Sequence, residues 1–96
     1  MSAVDPPPPP EATLESALYA RDLIAAEDFY TRVVGLPVIG RQPGRHVFFR
    51  VGASVLLVFN PEATRIAALP SALPVPVHGA EGPGHYCFRV PRSDLD

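Results

Sequence analysis

The chain has 96 residues with eight basic and ten acidic side chains, a formal net charge of −2, and this length allows one domain at most. No basic stripe runs along any segment, which excludes a nucleic-acid binder because such proteins carry positive patches for the phosphate backbone. No stretch is long and apolar enough to cross a bilayer, and one cysteine, Cys87, leaves no intrachain disulfide and favours a reducing compartment such as the cytoplasm.

The first twelve residues are predicted to form a tail outside the core. Residues 6–10 are consecutive prolines. Proline fixes φ and removes the backbone donor, so this run favours an exposed polyproline II-like conformation.

Residues 13–20 (TLESALYA) alternate as a strand does. One face of this strand carries Leu14, Ser16, Leu18 and Ala20, and the opposite face carries Glu15, Ala17 and Tyr19. The larger apolar residues of the first face are expected to meet the following helix.

A helix is predicted to follow, with Asp22 as its N-cap residue. Its apolar stripe, at i, i+3, i+4 and i+7, consists of Ala26, Phe29, Tyr30 and Val33. Gly35 is expected to end the helix as its C′ residue, and Pro37 prevents any continuation.

Two apolar strands, residues 46–51 and 54–59, are predicted to form a hairpin around Gly52. Residues 36–40 favour a less regular strand before them. The second hairpin strand is apolar without alternation, which is typical of a strand covered on both faces.

Residues 61–83 contain repeated prolines and glycines and are predicted to be a connector. Residues 84–90 alternate again and predict a strand. Its faces carry Tyr86, Phe88 and Val90 on one side and His85, Cys87 and Arg89 on the other. His46 and His78 are interpreted as surface residues in turns.

Two motifs in this pattern resemble the vicinal oxygen chelate superfamily, which includes glyoxalases, bleomycin-resistance proteins and dioxygenases. They are D-L-x-x-A-x-x-F-Y-x-x-V-x-G-L over residues 22–36, and G-H-x-x-F-x-V followed by D-L in residues 84–95. The resemblance implies an α+β fold with one βαβββ module and the first strand of a second. The expected organisation is a tail (1–12), a first module (13–60), a connector (61–83) and the start of a second module (84–96).

The resemblance also implies a divalent metal (Zn, Mn, Ni or Fe), with Glu15 and His85 as ligands. Carboxylate and imidazole suit these metals. Glu15 could instead be a solvated strand residue, and His85 a structural or titrating surface residue. A third family ligand comes from the fourth strand, where Leu56 and Val58 cannot coordinate, or from the last strand of the second module, which is missing here.

Six residues are candidates for substrate contact: Ala17, Tyr19, Phe48, Leu56, Cys87 and Arg89. The aromatic and leucine residues could equally be plain core. Cys87 fits a small buried hydrophobe better than a metal ligand, and Arg89 either binds an anionic group or lies in solvent.

By this resemblance the expected function is a metal-dependent lyase, isomerase or dioxygenase acting on a small oxygen-bearing substrate. The alternatives are a metal-free drug- or metabolite-binding module and an inactive truncated product. Because only one strand of the second module is present, the chain is expected to form a homodimer.

Overall fold

The computed structural model describes residues 5–66 and 76–95 and contains one mixed sheet with α1 packed on one face. The elements in chain order are β1 (Glu15–Tyr19), α1 (Leu23–Asp28), a π-helical turn (Phe29–Val33), β2 (Val38–Gln42), β3 (His46–Val51), β4 (Ser54–Phe59), α2 (Pro61–Thr64) and a short 3₁₀ helix (Arg92–Leu95).

The strand order in the sheet is β1-β4-β3-β2. β1 runs parallel to β4, with Ala17 opposite Leu57, whereas β4 and β3 pair as an antiparallel hairpin. β2 joins β3 with a register irregularity between Val38 and Gly40. The predicted βαβββ order is therefore confirmed, and both hairpin strands have the predicted bounds.

A small apolar core lies between the sheet and α1. Its buried members are Val47, Phe49, Leu56 and Val58. Leu18 and Ala20 of the first predicted face pack against this core, which confirms which side of β1 meets the helix.

The helix begins and ends at the predicted residues, but its second half, Phe29–Val33, is π-helical. The Asp22 carboxylate accepts a hydrogen bond from the Ala25 N–H at 3.0 Å, and Gly35 has a φ of +87° after the last turn. The wider π turn rotates the later side chains away from the stripe expected of a regular α-helix. Phe29 and Val33 are 47% and 58% exposed, so the predicted four-residue stripe was wrong for these two residues.

Residues 84–90 form no strand in the structure, contrary to prediction, because they do not join a backbone ladder. The predicted apolar side is nevertheless used in part. Phe88 packs against the core, and the Tyr86 hydroxyl lies 2.6 Å from the Ser16 hydroxyl.

Residues 5–12 of the proline-rich segment are exposed and lie outside the sheet. Of the helices within the two described ranges, none combines the length and apolar character needed to span a membrane.

Candidate functional site

The sheet face opposite α1, called the open face below, carries four of the eight predicted site residues. Since paired residues share a face, the register places three residues from each of three strands there: Glu15, Ala17 and Tyr19 of β1, Val55, Leu57 and Phe59 of β4, and His46, Phe48 and Arg50 of β3. Glu15 and Ala17 are exposed, and the apolar residues of this face are half-buried.

Aromatic rings form a continuous cluster at one end of the open face. The His46 ring stacks on Phe48 with 4.1 Å between centroids and 9° between planes. The Phe59 ring packs edge-on against both of these rings, and its centroid lies 6.3 Å from the centroid of the Tyr19 ring. His78, from the connector, completes the cluster with its ring 4.6 Å from Phe59. This end can therefore form an apolar wall for a small molecule.

His46 is set into this wall rather than lying on the surface as predicted. Its Nδ1 atom is buried and has no hydrogen-bond partner among the described residues. Burial lowers the pKa of His46, and the neighbouring Arg45 guanidinium lowers it further. The imidazole therefore stays neutral to a lower pH than an exposed histidine does.

The lowered pKa predicts a stability loss in mild acid. Below about pH 6.5 the unfolded chain protonates His46 while the folded chain resists protonation, so stability falls as pH drops towards the folded-state pKa. Replacing His46 with Phe keeps a planar ring but removes this titration. Urea midpoints at about pH 7.5 and about pH 5.5 should differ less in H46F than in the wild type. An unchanged difference in H46F would contradict the burial of His46.

A cleft with a volume of about 790 Å³ lies between β1 and residues 80–86, which span the end of the connector and the segment after it. Of the predicted site residues, it brings together Ala17, Tyr19 and His85. The remaining lining comes mainly from residues 18–21 of the first module and residues 80–86.

The two predicted metal ligands differ in their surroundings. Glu15 lies on the open face at the start of β1, and His85 lines the cleft beside that strand; both are exposed. In the described part of the chain, no three His, Cys, Asp or Glu side chains come together to hold a metal ion. The donor types suit a divalent metal, but two donors from one chain do not complete a site.

Two other predictions are corrected by burial and register. Leu56 is fully buried in the core on the α1 side, so it belongs to the core rather than to the wall that contains Tyr19 and Phe48. The fourth-strand residue that shares a face with Glu15 is Leu57, rather than Leu56 or Val58. Leu57 likewise cannot coordinate a metal.

Cys87, interpreted as a buried hydrophobe, is a free and exposed thiol. Arg89 is exposed as well.

Sequence reasoning missed the role of the connector at this site. His78 was interpreted as a surface residue, yet its Nδ1 lies 2.9 Å from the Tyr19 hydroxyl. Nothing in the local pattern indicates this contact, because the two residues are 59 positions apart.

Comparisons with known proteins agree with the fold. The family model of the Glyoxalase/Bleomycin resistance protein/Dioxygenase superfamily matches residues 13–94. Among solved structures, the chain is similar to lactoylglutathione lyase from Agrobacterium tumefaciens, with 50% sequence identity and a TM-score of 0.74, over 83% of this chain and 58% of that protein. Among curated protein sequences, none matches this chain.

A second solved structure, a glyoxalase/bleomycin resistance protein/dioxygenase from Nocardioides, shares the fold. Its identity is 24% and its TM-score 0.54, over 88% of this chain and 49% of that protein. The chain thus spans about half the length of the two solved proteins. Because the family model covers nearly all of the sequence after the proline-rich segment, the chain belongs to the glyoxalase/bleomycin resistance protein/dioxygenase superfamily.

Proposed function

We propose that this chain is a module of a divalent-metal-dependent enzyme of the lyase type that acts on a small oxygen-bearing substrate. The observation that carries the proposal is the placement of Glu15 on the open face, on the same side of the sheet as Tyr19 and Phe48. The 50% identity to a lactoylglutathione lyase supports lyase chemistry over the isomerase and dioxygenase alternatives.

In this proposal Glu15 and His85 are two of the metal ligands. Their donor atoms suit Zn, Mn, Ni or Fe. When bound, such a metal supplies a Lewis acid that polarises a substrate oxygen. Before a metal binds, water solvates the exposed Glu15 carboxylate and His85 imidazole, so leaving them unpaired costs little free energy.

The other predicted residues would contact the substrate. Tyr19 and Phe48 would exclude water with their half-buried rings, and the small side chain of Ala17 would leave room between Glu15 and the wall. Arg89 is exposed and would bind an anionic substrate group. Cys87, also exposed, would lie at the rim.

We propose that the molecule is a homodimer in which a second copy supplies further metal ligands. The open face has apolar residues without full cover, and a second module placed over it would bury them and bring another Glu15 and His85 to the junction. A chain with one free cysteine suits the reducing conditions of the cytoplasm, where we place this protein.

Titration calorimetry with Zn²⁺, Ni²⁺ or Mn²⁺ tests the metal proposal. The wild type should bind metal stoichiometrically, and Glu15→Gln or His85→Ala should weaken binding by more than about 100-fold, since even the outer partners of metal ligands are worth about 10–100-fold. Glu11→Gln, which removes an exposed carboxylate outside the sheet, is the matched control and should bind as the wild type does. If the wild type takes up no metal, or if E15Q and E11Q bind it equally, the proposal fails.

A metal-free binding module is the second candidate, and the five-ring cluster on the open face favours it because rings of this kind hold an apolar ligand without metal. Lactoylglutathione or an apolar fluorescent probe, titrated with and without chelator, separates the two functions. Binding that is unchanged in chelator and lost in Phe48→Ala would support this candidate against the enzyme.

A further inference from the structure

Four connector residues, 78–81, return to the first module and are called the strap. His78 makes three contacts, with Thr64, Tyr19 and Phe59. Its N–H donates to the Thr64 carbonyl at 2.9 Å, its Nδ1 lies 2.9 Å from the Tyr19 hydroxyl, and its ring rests edge-on against Phe59. One histidine thus ties the strap to α2, β1 and β4.

Glu81 anchors the other end of the strap. Its carboxylate accepts hydrogen bonds from two guanidinium groups, those of Arg21 and, at 3.1 Å, Arg65. Hydrogen bonding and charge from Arg21 lower the pKa of Glu81, so the pairing persists in mild acid. Between the anchors, Gly79 lies so close to Arg65 that an added Cβ would come within 2.8 Å of the Arg65 Nε. The strap therefore fits closely against Arg65, at the start of the connector.

His85 follows the strap after a short joint that contains two glycines. Gly82 has a φ of +111°, a conformation that glycine adopts without strain, and Pro83 and Gly84 complete the joint. Immediately after His85, the Tyr86 hydroxyl contacts Ser16. His85 is therefore held between two anchored points.

These contacts converge on one segment of the chain. Tyr19 and Ser16 belong to β1, and Arg21 follows it by two residues. The same strand begins with Glu15. An element that fixes the residues around His85 to β1 also fixes their distance from Glu15.

We propose that His78 and Glu81 are positioning residues that hold the His85 segment against β1. The effect of these two residues on metal affinity rests on the proposed function, whereas their effect on the placement of the segment does not. Without the strap, the joint at residues 82–84 lets His85 sample many positions, and the ordering of that segment then opposes binding.

The lone cysteine gives a readout that is independent of metal. Cys87 is exposed and lies two residues after His85, so a nitroxide attached to it broadens the amide signals of nearby residues. In the wild-type chain the amides of Glu15 and Ala17 should be strongly broadened compared with those of Gln42 in β2. In H78A/E81Q this broadening should fall by about half or more, as the segment spends more time away from the strand.

Two further variants separate positioning from general stability. The single variant His78→Asn, in which Glu81 is unchanged, should show the broadening of the wild type. The asparagine side-chain oxygen can take the place of the His78 Nδ1 in the contact with the Tyr19 hydroxyl. Asp28→Asn breaks an exposed carboxylate–arginine pair, with Arg32, on the helix and should leave the broadening unchanged.

Two results would overturn the proposal: little broadening of β1 in the wild type, or equal broadening in the wild type and H78A/E81Q while both remain folded.

Metal binding by the same variants is measured in a separate titration. A drop in affinity of about tenfold in H78A/E81Q, the order expected for lost charge-assisted hydrogen bonds, extends the positioning role to the metal. If no variant binds metal but the broadening still responds, the strap proposal stands and the enzyme proposal fails.

Discussion

Replacing Phe49 with Ala should lower the free energy of unfolding by about 3–5 kcal/mol, the usual cost of removing a buried aromatic ring. Phe49 is fully buried, pairs with Leu56 across the hairpin and packs 5.4 Å from the Tyr30 ring of the helical segment. A core of four fully buried apolar residues has few neighbours that could close the resulting cavity. Urea denaturation followed by circular dichroism measures the loss, and the variant should be largely unfolded if the wild type is marginally stable.

Its neighbour Phe48 is the matched control. The two phenylalanines are adjacent in β3, but Phe48 points to the open face and is half-buried. Phe48→Ala should therefore cost less than about half of the loss in F49A, because part of its ring already contacts water. Equal losses in the two variants would contradict the assignment of the two sheet faces.

Short-range patterns predicted the elements well. The Asp22 cap, the glycine after the helix and both hairpin strands depend on residues within a few positions of one another, and the structure has all of them. Alternation in β1 also identified the sides that carry Glu15 and Leu18. Each of these features follows from local backbone chemistry, so a single sequence contains it.

Local patterns did not predict the π turn, nor which residues of β4 face the helix. A regular α-helix places Val33 on the stripe, and only the wider turn that follows α1 moves it into solvent. In β4 every residue from Val55 to Phe59 is apolar, so the sequence does not say which of them face the helix. The parallel pairing of Leu18 with Val58 decides it, and such pairing depends on tertiary structure.

The strap was missed for a related reason. Proline and glycine content indicates a connector, but not where a connector rests. The contact between Tyr19 and His78, and those of Glu81 with two arginines, join residues distant in sequence. The predicted strand at residues 84–90 failed because alternation describes a potential face, whereas a strand also needs a neighbouring backbone.

The second large effect is expected in the oligomeric state. Among the described residues β1 pairs only with β4, which leaves its other edge open to a strand from another chain. The open face adds half-buried apolar residues such as Leu57 and Phe59. Two copies that cover these surfaces should bury more than about 1,000 Å² in total, as specific interfaces do. Light scattering at micromolar concentration should therefore give the mass of a dimer, and the thermal midpoint should rise with protein concentration.

A pair of substitutions locates the interface. Leu57→Glu places a charge on the open face, where an interface would have to bury it unpaired, so this variant should be monomeric and melt at a lower temperature. Ile24→Glu adds the same charge on the helix surface, where Ile24 is already 86% exposed, and should leave the dimer intact. Dissociation by I24E but not by L57E would move the interface to the helix side. A wild-type monomer that unfolds cooperatively, with a midpoint independent of concentration, would contradict the homodimer and the proposal that a second copy supplies further metal ligands.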